Sequence, residues 1–296
     1  MELNIVGCGH LGQTVAKLWQ RNATFSIGQV LNRSISSAQR ALDWIGAGRV
    51  CDSHSELTPA DVWLIATPDS AIAEAAALLA ELDLNWHHST VLHCSGAHSA
   101  ALLQPLAQRG AQCAAVHPIH SFANPEASLK KLAGCYCAAE GDPAALHTLK
   151  PAFEQLGLQW LTISAAQKSV YHAASVFACN YLTTLLAAAE QCLKATDIGA
   201  STEHPLPVLM PLIQQTLVNI DNLGPQRSLS GPIKRGDSEL VTAQAKALAT
   251  IDPDLGKLYL ALAEATVKLA QLPADKHQLL GLALDDLKRQ IPNPRQ

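Results

Sequence analysis

Charge is scarce in this chain. Only 16% of its 296 residues are Asp, Glu, Lys or Arg, and 21 basic residues against 25 acidic ones leave a net charge of −4. The cations are scattered rather than striped, which excludes the basic face that binding to a nucleic-acid backbone requires. The start, Met1-Glu2-Leu3, lacks the basic segment of a secretory leader, so the cytoplasm is the expected location. None of the eight cysteines forms a C-x-x-C pair. They read as reduced, mostly buried thiols, with neither a disulfide framework nor a zinc site, and no metal is expected. Internal repeats and low-complexity tracts are also missing, while a 48% hydrophobic content excludes disorder as the main state.

One stretch lacks charge altogether. Ser169 to Ala189 is long enough to cross a bilayer. It contains His172, Ser175, Asn180, Thr183 and Thr184, and no Lys/Arg bias marks either flank. A helix buried in a core or a dimer interface is the better reading, and no membrane partner is expected.

What is present begins with alternation. Short β-rich runs at 3–6, 26–31, 49–51, 62–66, 90–93, 112–116, 135–138 and 159–163 are separated by Ala/Leu-rich helical runs. That pattern predicts an α/β domain over residues 1–164, with a mostly parallel sheet covered by helices. After Ser164 the strand signal disappears. Helical patterns follow one another, broken at His204-Pro205, Asn222 to Pro225, Gly231-Pro232, Asp252-Pro253 and Pro273. Residues 165–296 are therefore expected to form an all-α domain, with a frayed polar tail after Ile291.

Gly7-Cys8-Gly9-His10-Leu11-Gly12 matches G-x-G-x-x-G between an apolar strand and an amphipathic helix. In that context the first glycine permits the turn, the second admits a pyrophosphate, and the third lets helix and strand approach. An NAD site usually carries an acid at the end of the second strand, but this chain has Asn32-Arg33-Ser34. A carboxylate would repel a 2′-phosphate and a guanidinium pairs with it, so NADP is the expected cofactor. Three further strand ends are expected to line the same crevice: Ala66-Thr67-Pro68, His93-Cys94-Ser95-Gly96-Ala97 and Val116-His117-Pro118-Ile119-His120.

In the helical half, Lys168 and His172 are four residues apart and share a helix face, with Asn180 further along. Polar groups in an uncharged helix need partners, which makes these three the catalytic candidates. Burial would lower the lysine pKa towards the range useful for acid/base work. A second polar concentration, Ser230 to Asp237, brackets Lys234 and Arg235 with glycines and ends in Asp237, a helix cap. Lys234, Arg235 and Asp237, with His117 and Pro118, are the expected substrate contacts.

These segments, together with Tyr171-His172-Ala173-Ala174 and Gly231 to Asp237, carry a resemblance over essentially the full length. The chain resembles Rossmann-like oxidoreductases with a helical C-terminal domain of unknown function, in the wider group resembling 6-phosphogluconate dehydrogenase and pyrroline-5-carboxylate reductase. The resemblance implies an N-terminal NADP domain and a helical domain that often dimerises, with the active site between them. The hydroxyacid dehydrogenases of that group use a Lys-x-x-x-Asn pair where this chain has Lys168-x-x-x-His172. The expected function is hydride transfer between NADP and a small carbonyl or imine, by a homodimer. The alternatives are hydride exchange between NADP and a deazaflavin or flavin, and a non-catalytic NADP-binding sensor or partner-binding dimer.

Overall fold

A computed structural model describes residues 1–291; the tail after Ile291 that the sequence marks as frayed lies outside them. All eight apolar runs are strands: β1 (Glu2–Val6), β2 (Ser26–Leu31), β3 (Arg49–Cys51), β4 (Val62–Ile65), β5 (Thr90–His93), β6 (Gln112–Pro118), β7 (Tyr136–Gly141) and β8 (Gln159–Thr162). They form one sheet in the order β3-β2-β1-β4-β5-β6-β7-β8. Neighbours run parallel except β6 and β7, which are antiparallel.

The central strands β4 and β5 are buried at every position because both faces of the sheet are covered there. Successive residues of β4 feed opposite cores, Val62 and Leu64 on one face and Trp63 and Ile65 on the other. The first core is anchored by Trp19 of helix α1 (His10–Arg21), fully buried and edge-on to Phe25 and Phe153. Its indole nitrogen donates to the Ala152 carbonyl at 2.9 Å. From β1 the chain moves outward to β2 and β3, then returns to the other side of β1 as β4. The carboxyl ends of β1 and β4 therefore diverge at a topological switch point, where open α/β sheets bind ligands.

Two compact units divide the chain, Met1–Asn180 and the residues from Tyr181 onward. The first includes the sheet, helix Lys168–Val176 and most of the π-helical turn Phe177–Tyr181. The second is helical, and its breaks fall at the prolines and glycines the sequence marks, with one more at Ala195-Thr196 that it does not mark. Pro232 and Pro253 occupy first helical turns, where no amide donor is needed. Its core is built by helices Ser238–Ile251, Pro253–Ala270 and Ala274–Gln290 through Val241, Leu260, Val267, Leu280, Leu284 and Leu287. Helices Leu182–Lys194 and Met210–Leu223 bury no side chain in this core; Leu212 is 65% exposed and Val218 51%. Among the described residues, no helix is long and apolar enough to cross a membrane. The eight cysteines are free thiols, five of them buried.

Candidate active site

The turn after β1 is built by three glycines with three different reasons. Gly7 has φ +80°, and a Cβ there would lie 2.6 Å from the Thr67 methyl. At Gly12 a Cβ would press on Ala66 at 3.3 Å, so this glycine sets the approach of α1 to the sheet. Gly9 differs from both: its Cβ would meet nothing within 4 Å. The open side of Gly9 is thus free for a ligand to approach bare backbone, at the N-terminus of α1 where no side chain caps the first amides. The turn is braced from behind, with the Cys8 amide donating to Asn32 Oδ1 at 2.6 Å and Gln13 Nε2 donating to the Cys8 carbonyl at 3.2 Å. Burial pushes the Cys8 thiol up to about 12, so it stays a neutral packing group.

A cavity of about 630 Å³ opens over this turn. Gly7, Gly9, Asn32, Arg33, Ala66, Thr67 and Pro68 line it, as do Gln13, Ser37, Arg40, Ser70 and Ala71, which sequence reasoning missed. Ser37 and Arg40 lie three apart on helix α2 (Ile35–Ile45) and so share a face. No Asp or Glu is on the wall, and among the described residues neither guanidinium has a hydrogen-bond or ion-pair partner. Thr67 Oγ1 is buried without a partner. The other residues expected here have different places. Leu11 packs on the core, the His10 ring binds the Phe122 carbonyl at 3.0 Å, and Ser34 caps α2 by accepting from the Ser37 amide at 3.3 Å.

Next along the sheet edge, the loop after β5 is tied down by a polar network. His93 is fully buried; its Nδ1 accepts from the Ser95 amide at 3.2 Å and its Nε2 donates to the Ser99 carbonyl at 3.0 Å. Burial pushes its pKa down to about 4, so the ring is neutral. Ser95 Oγ donates to Asp69 at 2.8 Å and accepts from the Ala97 and His98 amides. The hydroxyl is therefore a brace of this loop. Lys168, 1% exposed, donates from Nζ to the Ser95 carbonyl at 2.9 Å. Burial lowers its pKa against the opposing pull of Glu140, Cys94 and Asp69.

His117 and His172 converge on Gly96, where a Cβ would lie 2.5 Å from His172 Nδ1 and 2.9 Å from His117 Cε1. His172 Nδ1 is buried without a partner. His117 Nδ1 is 2.7 Å from the Tyr171 hydroxyl. Pro118 ends β6. Tyr171 is the residue that sequence reasoning left out of the site, since a tyrosine beside His172 on a helix reads as packing. Asn180 lies in the π-helical turn. Lys234, Arg235 and Asp237 belong to the helical unit. Lys234 Nζ donates to the Ala270 carbonyl at 2.8 Å, the Arg235 carbonyl accepts from Lys276 at 2.8 Å, and Asp237 caps Ser238–Ile251 through the Leu240 amide at 3.0 Å.

The site thus joins an open glycine turn to a cluster of imidazoles, a phenol and a buried lysine amine, with Pro68 in the first adjoining Asp69 in the second. Such a cluster can donate hydrogen bonds and move a proton.

A Rossmann-like domain model matches residues 1–118, and the model for a domain of unknown function, DUF2520, matches residues 135–266. The chain carries both domains. Among solved structures it is similar to a Bacteroides fragilis protein provisionally described as an NADP oxidoreductase, with a TM-score of 0.75, 22% identity, and coverage of 90% of this chain and 98% of that one. A Thermotoga maritima protein gives 0.70 and 25%, covering 91% and 98%. A reductive aminase from Aspergillus terreus, in complex with NADPH and ethyl-5-oxohexanoate, gives 0.60 and 15%, covering 98% and 94%. Among curated proteins, none matches this chain.

Proposed function

We propose that this chain is an NADP-dependent oxidoreductase acting on a small carbonyl or imine. One observation carries the reading: the cavity at the switch point has an open glycine turn at one wall, two unpartnered arginines at another, and no carboxylate. Gly7, Gly9 and the first amides of α1 suit a pyrophosphate, and Arg33 with Ser37 and Arg40 suits a 2′-phosphate. The nicotinamide, when bound, supplies or accepts a hydride. The fold shared with the NADPH-bound Aspergillus terreus reductive aminase supports the reading.

Lys168 holds the Ser95 carbonyl and so fixes the loop at the sheet edge, while His172 carries an imidazole nitrogen with no protein partner. Lys234 is engaged by the Ala270 carbonyl and Asp237 by the Leu240 amide, and neither takes part in the proposal. A homodimer belongs to the same reading. The apolar residues of Met210–Leu223, such as Leu212, Leu217 and Val218, lie outside the helical core, and a second copy would cover them.

The test is to follow the absorbance of NADPH while purified protein is mixed with a panel of ketones, imines and a flavin. Oxidation of NADPH by a ketone or imine is expected. Failure of NADPH to bind, or oxidation by the flavin alone, contradicts the proposal.

A further inference from the structure

We propose that Tyr171 is the acid that gives a proton to the substrate's carbonyl oxygen or imine nitrogen, and that His117 is the positioning residue that returns a proton to it. This rests on the oxidoreductase reading and narrows it to substrates whose reduction leaves a basic oxygen or nitrogen to be protonated.

The two side chains come from different elements, His117 from β6 and Tyr171 from helix Lys168–Val176. The phenol oxygen is 2.7 Å from Nδ1, and the rings meet edge to face at 5.7 Å and 82°. The His117 ring packs closely on the bare Cα of Gly96, where a Cβ would lie 2.9 Å from its Cε1.

Three of the other proton-bearing or charged groups at this edge are committed. Lys168 is buried on the Ser95 carbonyl, Asp69 accepts from Ser95 Oγ, and His93 is hydrogen-bonded through both nitrogens. His172 Nδ1 is buried against Gly96. Among the described residues at this edge, the Tyr171 hydroxyl combines a transferable proton with a hydrogen-bonded neighbour able to replace it. Burial and the nearby Cys137 push its pKa up to about 12, so the phenol keeps its proton at neutral pH. Burial, Lys168 and His172 push His117 down to about 4 against the weaker pull of Asp69, so its ring is neutral. A neutral imidazole can donate from one nitrogen while accepting at the other. Among the described residues, His117 Nε2 has no protein partner.

In the direction of reduction, the phenol O–H bond breaks as an O–H or N–H bond forms on the substrate. The phenolate takes the Nδ1 proton of His117, and Nε2 takes one from water. One solvent proton is consumed and no protein group changes oxidation state. In the direction of oxidation the same transfers run backwards.

The test compares the parent with Tyr171→Phe, which keeps the ring, and with His117→Ala. NADPH affinity is read by calorimetry, and turnover with the ketone and imine panel is read in H₂O and D₂O. Tyr171→Phe should bind NADPH as the parent does, lose about a hundredfold to ten-thousandfold in turnover, and lose the parent's solvent isotope effect. His117→Ala should regain activity with added imidazole, which a structural role would not produce. Parent-like turnover of Tyr171→Phe overturns the assignment even if His117→Ala fails to fold. So does a panel in which NADPH binds but no ketone or imine is reduced. A protein that does not bind NADPH removes the oxidoreductase reading itself, so the two failures are distinguishable.

Discussion

Arg33 and Arg40 bring cations into a cavity whose wall carries no acid, and the proposed cofactor preference depends on them. Arg33→Ala should weaken NADPH by about 1.5–3 kcal/mol, the range for a charge-assisted hydrogen bond, and leave NADH almost unchanged. Calorimetry with both nucleotides checks this, and equal losses for the two would remove the assignment. Arg33 was legible because it follows the second strand at a fixed distance from the glycine turn. Arg40 was not, since an arginine on an exposed helix face looks in sequence like an ordinary solvated charge. Only the return of α2 beside the turn turns it towards the cavity. Ser95 shows the reverse. Its position at a strand end suggested a ligand contact, yet its hydroxyl is consumed by Asp69 and two amides of its own loop.

The loop after β5 depends on a helix far along the chain. Lys168 reaches the Ser95 carbonyl across 73 positions of sequence, and Glu140 meets the same loop through the Ala100 amide at 2.7 Å. Lys168→Met keeps most of the volume and removes the donor, leaving a buried carbonyl without its partner. The expected loss of stability is about 1–3 kcal/mol, measured by urea unfolding. A variant as stable as the parent would show that Lys168 braces nothing. Spacing alone placed Lys168 and His172 on one helix face. What that face meets is decided by long-range packing, which periodicity does not carry, and this is why the Tyr171–His117 pair stayed hidden. The strands were easier to read, because burial on both faces demands continuous apolar runs such as Val62 to Ile65.

For the whole molecule, buried titratable groups predict a dome of stability against pH. His93 and His117 are held near 4 against an ordinary 6.5, mainly by burial, with Lys168 lowering both and His98 and His172 adding to it. Between those values the unfolded chain binds more protons than the folded one. Their contribution is therefore complete above about pH 6.5 and is lost as the pH falls towards 4. Cys8, Cys94, Cys113 and Cys137 are pushed by burial from 9.0 to about 12. The unfolded thiols ionise first, so stability also falls as the pH rises above 9. The melting temperature should form a plateau with both limbs descending; a rise on acidification from 6.5 to 4 would contradict the burial of the two histidines. The central claim, a cofactor site for NADP on the glycine turn, is tested most directly by titrating the parent protein with NADPH and with NADH in a calorimeter. The account predicts that one NADPH binds per chain, at least about tenfold more tightly than NADH, as one charge-assisted contact to the 2′-phosphate requires. Equal affinity for the two, or no heat with either, would contradict it.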